Sequence, residues 1–391
     1  MRFSGFDDEW QSCRFDELFD FQVAGDMKKE LFNEEFIDEY KYPLYANALE
    51  NEGLLGYYKE YKYNPNSITV TARGNIGHAT ARKNKFNAVG RLIILTPKED
   101  LNIEFFTEYI NNNVKIYIES TGVPQLTAPS LKINKLHYPT LNEQNKISNL
   151  LIMLNNKIEL LGQKHQLYQY FKKYLMQQIF TQKLRFNFTD DWNYMNFSEI
   201  FKSVSTKKYQ IKSADILDKG DFEVIDQGQD EIAGYFNDKT KLCQELPIII
   251  YGDHTTFVKF RDKPFIVGAD GVKLLIPKFN ANPKYLFYAL EHFNIKPEGY
   301  KRHFSIIKKI KLPIPTLEEQ NEISEIFTYI DIKLKYTKIQ LQETEEFKKG
   351  LLQQMFIVRI NCRCNFKLAK SPSFNKHLLI LKNKIIFIII E

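Results

Sequence analysis

The sequence contains one motif twice, and each copy begins a long helical pattern. Pro139-Thr-Leu-Asn-Glu-Gln-Asn-Lys-Ile-Ser148 recurs as Pro315-Thr-Leu-Glu-Glu-Gln-Asn-Glu-Ile-Ser324, at an offset of 176 residues. The offset holds without a gap as far as Phe171-Lys-Lys-Tyr-Leu-Met-Gln-Gln-Ile-Phe180 and Phe347-Lys-Lys-Gly-Leu-Leu-Gln-Gln-Met-Phe356. A repeat of this period constrains the whole architecture, because it divides the chain into two related halves.

The repeat also extends upstream of the helical patterns. Phe6-Asp-Asp-Glu-Trp10 has its counterpart in Phe188-Thr-Asp-Asp-Trp192, and Phe15-Asp-Glu-Leu-Phe19 has its counterpart in Phe197-Ser-Glu-Ile-Phe201. Between these anchors the two halves diverge. The chain is therefore predicted to alternate globular part, helix, globular part and helix, with similar helices and dissimilar globular parts.

Each helical pattern carries an apolar seam with alternating spacings of three and four residues. Such a seam, sustained for about five heptads, is typical of a coiled coil. We expect the two helices, each roughly 60 Å long, to form an antiparallel intramolecular pair, although each seam could instead pack on its own domain. The seam residues are Ile147, Leu151, Leu154, Ile158 and Leu161 in the first helix and Ile323, Phe327, Ile330, Leu334 and Leu341 in the second.

The globular parts have the composition of mixed α/β domains. Strands are predicted at residues 68–72, 91–96, 247–251 and 272–277, and helices at 102–112 and 283–293, with Asn102 and Asn282 as N-caps. The fold class is α+β, with a pseudo-two-fold arrangement of two domains and two helices. The predicted boundaries are residues 1–140 and 182–316 for the domains, 141–181 and 317–357 for the helices, and 358–391 for a basic tail.

The net charge of +6 is a weak argument for nucleic-acid binding. Seven basic residues and one acid follow Ile357, so residues 1–357 carry 47 basic and 47 acidic side chains. However, residues 61–98 and 299–317 contain no acid and several Lys and Arg, as expected of surfaces that contact phosphates. Solvated loops and strands would give the same pattern. The candidate DNA-binding residues are Arg73, Arg82, Lys83, Lys85, Lys259, Arg261, Lys301 and Arg302.

No motif for catalysis or metal binding is recognisable. The seven His are dispersed, Cys362-Arg-Cys364 is too closely spaced for zinc, and no nucleophile elbow is present. Gly74 and Gly77 could belong to a phosphate-binding loop. However, the lysine of a P-loop is missing, so a hairpin or a bulge explains the two glycines better. Four scattered Cys, no secretory signal and no convincing membrane span favour the cytoplasm. The absence of a catalytic motif favours a non-catalytic binding protein.

The arrangement resembles the specificity subunit of type I restriction–modification systems. The resemblance rests on the paired Pro-Thr-Leu-x-Glu-Gln motifs, on Gly122-Val-Pro-Gln-Leu and Gly299-Tyr-Lys-Arg-His before them, and on the Trp-x4-Phe-x-Glu-[Leu/Ile]-Phe openings. It covers residues 1–357. It implies two target-recognition domains, each reading half of a bipartite, asymmetric double-stranded DNA target, and a coiled coil that sets the gap.

The resemblance also implies the partners. Two modification subunits, similar to adenine methyltransferases that use S-adenosylmethionine, would dock on the helices, and ATP-dependent restriction subunits could join them. S-adenosylmethionine, ATP and Mg²⁺ would belong to those partners and not to this chain.

Several alternatives stay open at this point. The chain could be a coiled-coil scaffold, another two-domain DNA-binding protein or an enzyme with an unrecognised site. The tail at 358–391 departs from the repeat and could be a frameshifted extension or a genuine basic segment. The target sequence, its gap and the residues that contact bases cannot be read from the sequence.

Overall fold

A computed structural model of the chain describes residues 2–114, 124–268, 270–299 and 301–356. The predicted tail at 358–391 therefore lies outside the described residues. Two compact units are present, and each boundary between them falls inside a long helix. The first unit runs from the start of the chain to Asn149 and resumes at Lys349, and the second unit is Leu150–Lys348.

The first unit is built around two four-stranded sheets. One has the strand order β2-β9-β6-β7, the other has the order β3-β5-β4-β8, and β1 pairs separately with β10. The elements are β1 Gln11–Arg14, α1 Phe15–Leu18, β2 Phe19–Val23, β3 Phe32–Asn33, β4 Tyr42–Tyr45, β5 Leu54–Tyr58, β6 Ser67–Val70, β7 Ala79–Arg82, β8 Asn87–Ala88, β9 Ile93–Pro97, α2 Ile103–Asn113, α3 Ala128–Lys132, β10 Lys135–Tyr138 and α4 Leu141–Phe180.

The second unit repeats the first of these sheets. Its sheet β12-β19-β16-β17 has the same sequential order, β11 pairs with β20, and the remaining sheet is β13-β18-β14-β15. The elements are β11 Asn193–Asn196, α5 Phe197–Ile200, β12 Phe201–Val204, β13 Gln210–Ile211, β14 Phe222–Ile225, β15 Gly234–Phe236, β16 Ile248–Gly252, β17 Val258–Arg261, β18 Ile266–Gly268, β19 Val272–Pro277, α6 Pro283–His292, α7 Phe304–Ile307, β20 Lys311–Ile314 and α8 Leu317–Phe356. Short 3₁₀ turns lie at Lys29–Leu31, Glu50–Gly53, Ser213–Asp215 and Lys239–Lys241.

The α+β prediction is confirmed, and the predicted strands and short helices lie within two residues of observed elements. The central strands β6 and β16 are buried at every position, which explains their continuous runs of β-branched and aromatic residues. Asn102 caps α2 by accepting a hydrogen bond from the Phe105 N–H. Asn282 caps α6 by accepting from the N–H groups of Lys284 and Tyr285.

Each unit contains the beginning of one long helix and the end of the other. In the second unit the ring of Phe180, at the end of α4, lies 6.4 Å from Trp192 and 6.0 Å from Tyr285, measured between centroids. In the first unit its repeat counterpart Phe356, at the end of α8, lies 6.5 Å from Trp10 and 5.5 Å from Phe105. The duplicated aromatic residues therefore dock each helix end into a domain core.

The long helices run antiparallel where both belong to the second unit. Phe180 stacks 6.2 Å from Phe327, Lys172 Nζ lies 2.9 Å from Asp331 Oδ1, and His165 Nδ1 lies 3.0 Å from Thr337 Oγ1. As residue numbers fall along α4, they rise along α8. The predicted antiparallel pairing is thereby confirmed.

All ten predicted seam residues are buried or half-buried. Ile147, Leu151, Leu161, Ile323, Phe327 and Ile330 are buried. Leu154, Ile158, Leu334 and Leu341 are half-buried.

Candidate nucleic-acid interface

The two sheets place one surface turn of each unit at an equivalent position. Ile68 of β6 pairs with Leu95, and Ile249 of β16 pairs with Leu275 in the same antiparallel sense. Counting five residues onward from each isoleucine leads to Arg73 in the first unit and His254 in the second. These two residues therefore have the same position in the fold, although no sequence match connects them.

In the first unit, the side-chain amide of Asn47 holds this turn. Its Oδ1 accepts from the N–H of Ala72 at 2.7 Å and of Arg73 at 3.3 Å, and its Nδ2 donates to the Gly90 carbonyl. The Arg73 side chain is exposed, and its Nη2 lies 3.5 Å from Gln125 Oε1. Because the Asn47 amide binds both the turn at Ala72 and Arg73 and the neighbouring backbone at Gly90, the Arg73 side chain projects from a firmly held backbone.

In the second unit, Gln227 makes the corresponding bonds. Its Oε1 accepts from the His254 N–H at 3.1 Å, and its Nε2 donates to the Asp270 carbonyl at 3.1 Å. The adjacent Gly271 has φ +85°, and a Cβ there would lie 2.6 Å from Gln227 Nε2. Glycine is needed at this position both for the backbone conformation and for the space that Gln227 fills. We refer to Asn47 and Gln227 as the amide clamps.

A second segment joins each turn through one backbone hydrogen bond. The Leu126 N–H donates to the Ala72 carbonyl at 2.9 Å, and the His303 N–H donates to the Asp253 carbonyl at 2.7 Å. These bonds bring Gln125 beside Arg73 and exposed Arg302 beside His254. Each unit therefore presents one arginine and one other polar side chain on a clamped turn.

The second unit reinforces this junction with a buried histidine. His303 is fully buried, and its Nε2 accepts from the Glu298 N–H at 3.0 Å. Nδ1 must then carry the proton, and it lies 3.1 Å from the Asp253 carbonyl, to which it donates. Asp253 Oδ1 also accepts from the Phe304 N–H at 2.8 Å. These bonds fix the backbone that carries Arg302.

Five of the eight predicted DNA-binding residues are exposed. They are Arg73, Lys83, Lys85, Lys301 and Arg302. Lys83 Nζ lies 2.6 Å from Glu104 Oε1, Lys301 pairs with Glu298, and Lys85 Nζ lies 4.2 Å above the Tyr61 ring. Exposed pairs of this kind contribute little to stability, so these cations can exchange their partners for phosphates at small cost.

Arg82 is a correction to the predicted set, because it has a structural role in the first unit. It is 4% exposed, and its guanidinium lies 3.5 Å from the Tyr45 ring centroid. Its donors bond Thr69 Oγ1 at 3.0 Å and the Glu52 carbonyl at 2.7 Å. Burial lowers its pKa, with the neighbouring Tyr45 and Glu52 opposing that effect.

Lys259 and Arg261 are corrections in the second unit for the same reason. The Lys259 side chain is 10% exposed and its Nζ donates to the carbonyls of Asp226 and Asp230 at 3.0 and 2.6 Å. Burial lowers the pKa of Lys259 despite the neighbouring acids. The Arg261 side chain is 11% exposed, and its Nη1 lies 3.2 Å from Glu231 Oε1. These cations are occupied by protein groups and leave the candidate set.

The duplicated Pro-Thr-Leu-x-Glu-Gln motif is a joint between each domain and its helix. Gln144 Nε2 donates to the Pro139 carbonyl at 2.9 Å, and its Oε1 accepts from the Asn102 N–H at 3.1 Å. Gln320 repeats this with the Pro315 carbonyl and the Asn282 N–H, both at 2.9 Å. The glutamine thus ties the first turn of each long helix to the N-cap residue of α2 or α6.

The glutamate of the motif anchors an arginine in each unit. Glu319 is 1% exposed and accepts from Arg185 Nε at 3.0 Å, Arg185 Nη2 at 2.8 Å and Trp192 Nε1 at 2.9 Å. Glu143 is equally buried and accepts from Arg2 Nε at 2.9 Å and Arg2 Nη2 at 2.6 Å. Each bidentate pair fixes the angle at which the helix leaves its domain.

Polar side chains interrupt the apolar seam within the second unit. The Thr337 hydroxyl donates to the Lys333 carbonyl at 2.9 Å, so it accepts from His165 Nδ1. The neighbouring Lys172 Nζ lies 2.9 Å from Asp331 Oδ1 and 3.2 Å from Glu291 Oε2. Burial alone would lower the pKa of Lys172, but the two carboxylates outweigh it and raise this pKa.

Within the described ranges, no group of three or more His, Cys, Asp or Glu is arranged to hold a metal ion. No helix among the described residues is long and apolar enough to cross a membrane.

Comparison with known proteins identifies the family. The family described as "Type I restriction modification DNA specificity domain" matches residues 7–167 and 189–346, which is most of the chain and covers parts of both units. The chain belongs to this family. The two matched segments of this specificity-domain protein correspond to the two copies of its internal repeat.

Relatives and solved structures agree with the family assignment. Two Mycoplasma pneumoniae proteins named as candidate type I specificity subunits are each 32% identical, over 41% and 33% of this chain. The matches span 47% and 38% of the lengths of those relatives. A crystal structure of a type I restriction–modification S subunit from M. genitalium has a TM-score of 0.69 at 18% identity, covering 91% of this chain and 97% of that chain. This chain and the M. genitalium S subunit therefore share a fold.

Several residues of the interface were not predicted from the sequence. Asn47 and Gln227 lie in loops without a recognisable motif. His254 and Gln125 belong to no motif or charged cluster in the sequence. Only the equivalent strand registers reveal that these residues occupy matching places.

Proposed function

We propose that the chain is a type I specificity subunit that reads a bipartite, asymmetric DNA target and brings modification subunits to it. In this proposal residues 1–140 and 182–316 are the recognition domains, and residues 141–181 and 317–357 are the spacer. The observation that carries the proposal is the duplicated amide clamp, which holds a turn at the same place in both units. Because the residues on the two turns differ, the two half-sites would differ in sequence.

The exposed cations support contact with the DNA backbone. In the proposal Lys83, Lys85 and Lys301 bind phosphates, which fixes the register of each domain on the duplex without reading sequence. The clamped turns would then enter a groove. A helix of about 40 residues is roughly 60 Å long, which exceeds the 34–36 Å separation of half-sites one turn apart.

The outer surface of the paired helices supports the docking of protein partners. Leu160, Leu167 and Tyr174 recur every seventh residue on α4 and are 64%, 67% and 58% exposed. Tyr329 and Tyr336 recur likewise on α8 and are 61% and 58% exposed. Apolar stripes of this kind typically mark protein interaction sites. A shallow cavity of about 500 Å³ continues one stripe, between Tyr329 and Ile332 of α8 and Phe260 and Lys284.

The proposed partners are two adenine methyltransferase subunits, which restriction subunits with ATP-dependent activity could join. S-adenosylmethionine, ATP and Mg²⁺ would be bound by those subunits, and the specificity subunit would itself be non-catalytic. We place the complex in the cytoplasm, where its DNA substrate lies.

Methylome sequencing of the host tests the proposal. Deleting the gene should remove adenine methylation from one bipartite motif with a fixed gap, and restoring the gene should return it. An unchanged methylome after deletion would refute the role in modification and favour a coiled-coil scaffold. Methylation of an uninterrupted motif would agree with a role in DNA binding but would contradict a bipartite target.

A further inference from the structure

The clamped turns carry side chains suited to reading base edges, and this inference rests on the proposed function. Arginine presents a planar fork of donors that matches the O6 and N7 acceptors of guanine in the major groove. Glutamine matches the N6 and N7 edge of adenine. The first unit places Arg73 and Gln125 together in this way, and the second unit places Arg302 and His254 together.

The arginine lies on a different segment of the site in each unit. In the first unit Arg73 follows the strand β6, and its neighbour Gln125 precedes α3. In the second unit Arg302 occupies the place before α7, and His254 follows β16. The backbone bonds from Leu126 and His303 establish this correspondence. Each unit thus has one arginine at the turn, but the arginine follows the strand in the first unit and precedes the short helix in the second.

The surroundings of these side chains distinguish them from the other cations. Lys83 and Lys301 each have an acidic partner, and Arg82 and Arg261 are occupied by protein groups. Arg73, in contrast, is exposed and has the amide of Gln125 beside it. The clamps hold the backbone under the arginine or its neighbour, so little conformational freedom remains to be lost when a base is bound.

We propose that Arg73 and Arg302 each read a guanine, one in each half of the target, with Gln125 and His254 contacting the adjacent base pair. The amide clamps of Asn47 and Gln227 are positioning residues that act through the backbone. A change at Arg73 would therefore alter one half-site only, and a change at Arg302 would alter the other.

The experiment complements the gene deletion with variants and sequences the methylome. Arg73→Ala should extend methylation to sites that differ at one G·C pair of one half-site, with a loss of discrimination of about 5- to 150-fold there. Arg302→Ala should do the same in the other half. Arg73→Lys keeps the charge but loses the planar fork, so it should relax the same base pair.

The controls separate this inference from its alternatives. Arg14→Ala removes an arginine of the first unit whose side chain is 54% exposed and paired with Asp16, and it should leave the motif unchanged. If Arg73→Ala retains the guanine preference, or both Arg73 variants lower methylation at all sites without relaxing any base, the inference is overturned and Arg73 does not read a base. If the unaltered chain supports no bipartite methylation, the proposed function fails and the inference with it.

Discussion

The joint at the start of α8 should depend more strongly on its glutamate than the joint at the start of α4. Glu319 receives three hydrogen bonds from Arg185 and Trp192. Glu143 receives two from Arg2, and Nε1 of the corresponding Trp10 has no hydrogen-bond partner within the described part of the chain. We therefore compare Glu319→Ala with Glu143→Ala.

The expected costs follow from exposure and bond count. Removing one partner of a fully buried ion pair costs about 3–5 kcal/mol. The Arg185 side chain is 16% exposed, so water can partly solvate it after the change, and we expect roughly 2–4 kcal/mol for Glu319→Ala. Arg2 is 32% exposed and the tryptophan bond is missing, so Glu143→Ala should cost about 1–2 kcal/mol.

Hydrogen–deuterium exchange measures both joints in one chain. It reports local opening, whereas a single unfolding transition is poorly defined for a chain with two units. Glu319→Ala should accelerate exchange in the first turn of α8 by about 30- to 1,000-fold and leave the first turn of α4 unchanged. Glu319→Gln keeps an acceptor for Trp192 and should have a smaller effect. Equal acceleration by the two alanine variants would refute this account of the joints.

Three further outcomes are expected. Removing the opposed heptads 157–163 and 339–345 shortens the paired helices by about 10 Å, so the gap in the methylated motif should shrink by roughly 3 base pairs; an unchanged gap would contradict the spacer role. Changing Lys83 and Lys85 to Ala should reduce the slope of log affinity against log salt by about 2, as expected for two lost phosphate contacts, and an identical slope would remove them from the interface. Because the pKa of Lys172 is raised, its ion pairs stabilise the fold at pH values below the ordinary lysine pKa and are lost as the pH rises through the raised value; Lys172→Met should reduce the alkaline loss of stability in a pH series of thermal unfolding, and equal pH dependence in both proteins would contradict this.

The helices and the main strands were predictable because their signals are local and periodic. A seam repeated every seven residues is typical of helices that pair, and a duplicated seam supplies the partner. The strands β6 and β16 are buried on both faces, so their apolar character does not depend on distant details. Asn102 and Asn282 could be identified as caps because an N-cap is defined by its immediate neighbours.

The roles of the cations were not predictable to the same extent. Arg82 and Lys85 are three residues apart in one basic stretch, yet Arg82 is buried against Tyr45 and Lys85 is exposed. Arg82 and Arg261 end equivalent strands, and both are enclosed by protein groups contributed from distant loops. Which cation is enclosed depends on tertiary contacts, and net charge along the sequence contains no information on them.

The amide clamps show most clearly why the candidate site required the structure. Asn47 and Gln227 differ by one methylene, and each lies two residues after the end of a strand, β4 or β14. They are 180 residues apart, whereas the helices repeat at an offset of 176, so the ungapped repeat does not align them. Both side chains bind the N–H of the turn residue and a carbonyl that precedes β9 or β19. Asn47 also accepts from the Ala72 N–H. Side chains of either length reach these groups. The duplication has therefore kept the residue types where a helix must meet its domain at a fixed angle, as at Glu143 and Glu319. At the turns it has kept the amide clamp and the backbone geometry, which leaves the other side chains of the turns free to change with the DNA sequence that each unit reads in our proposal.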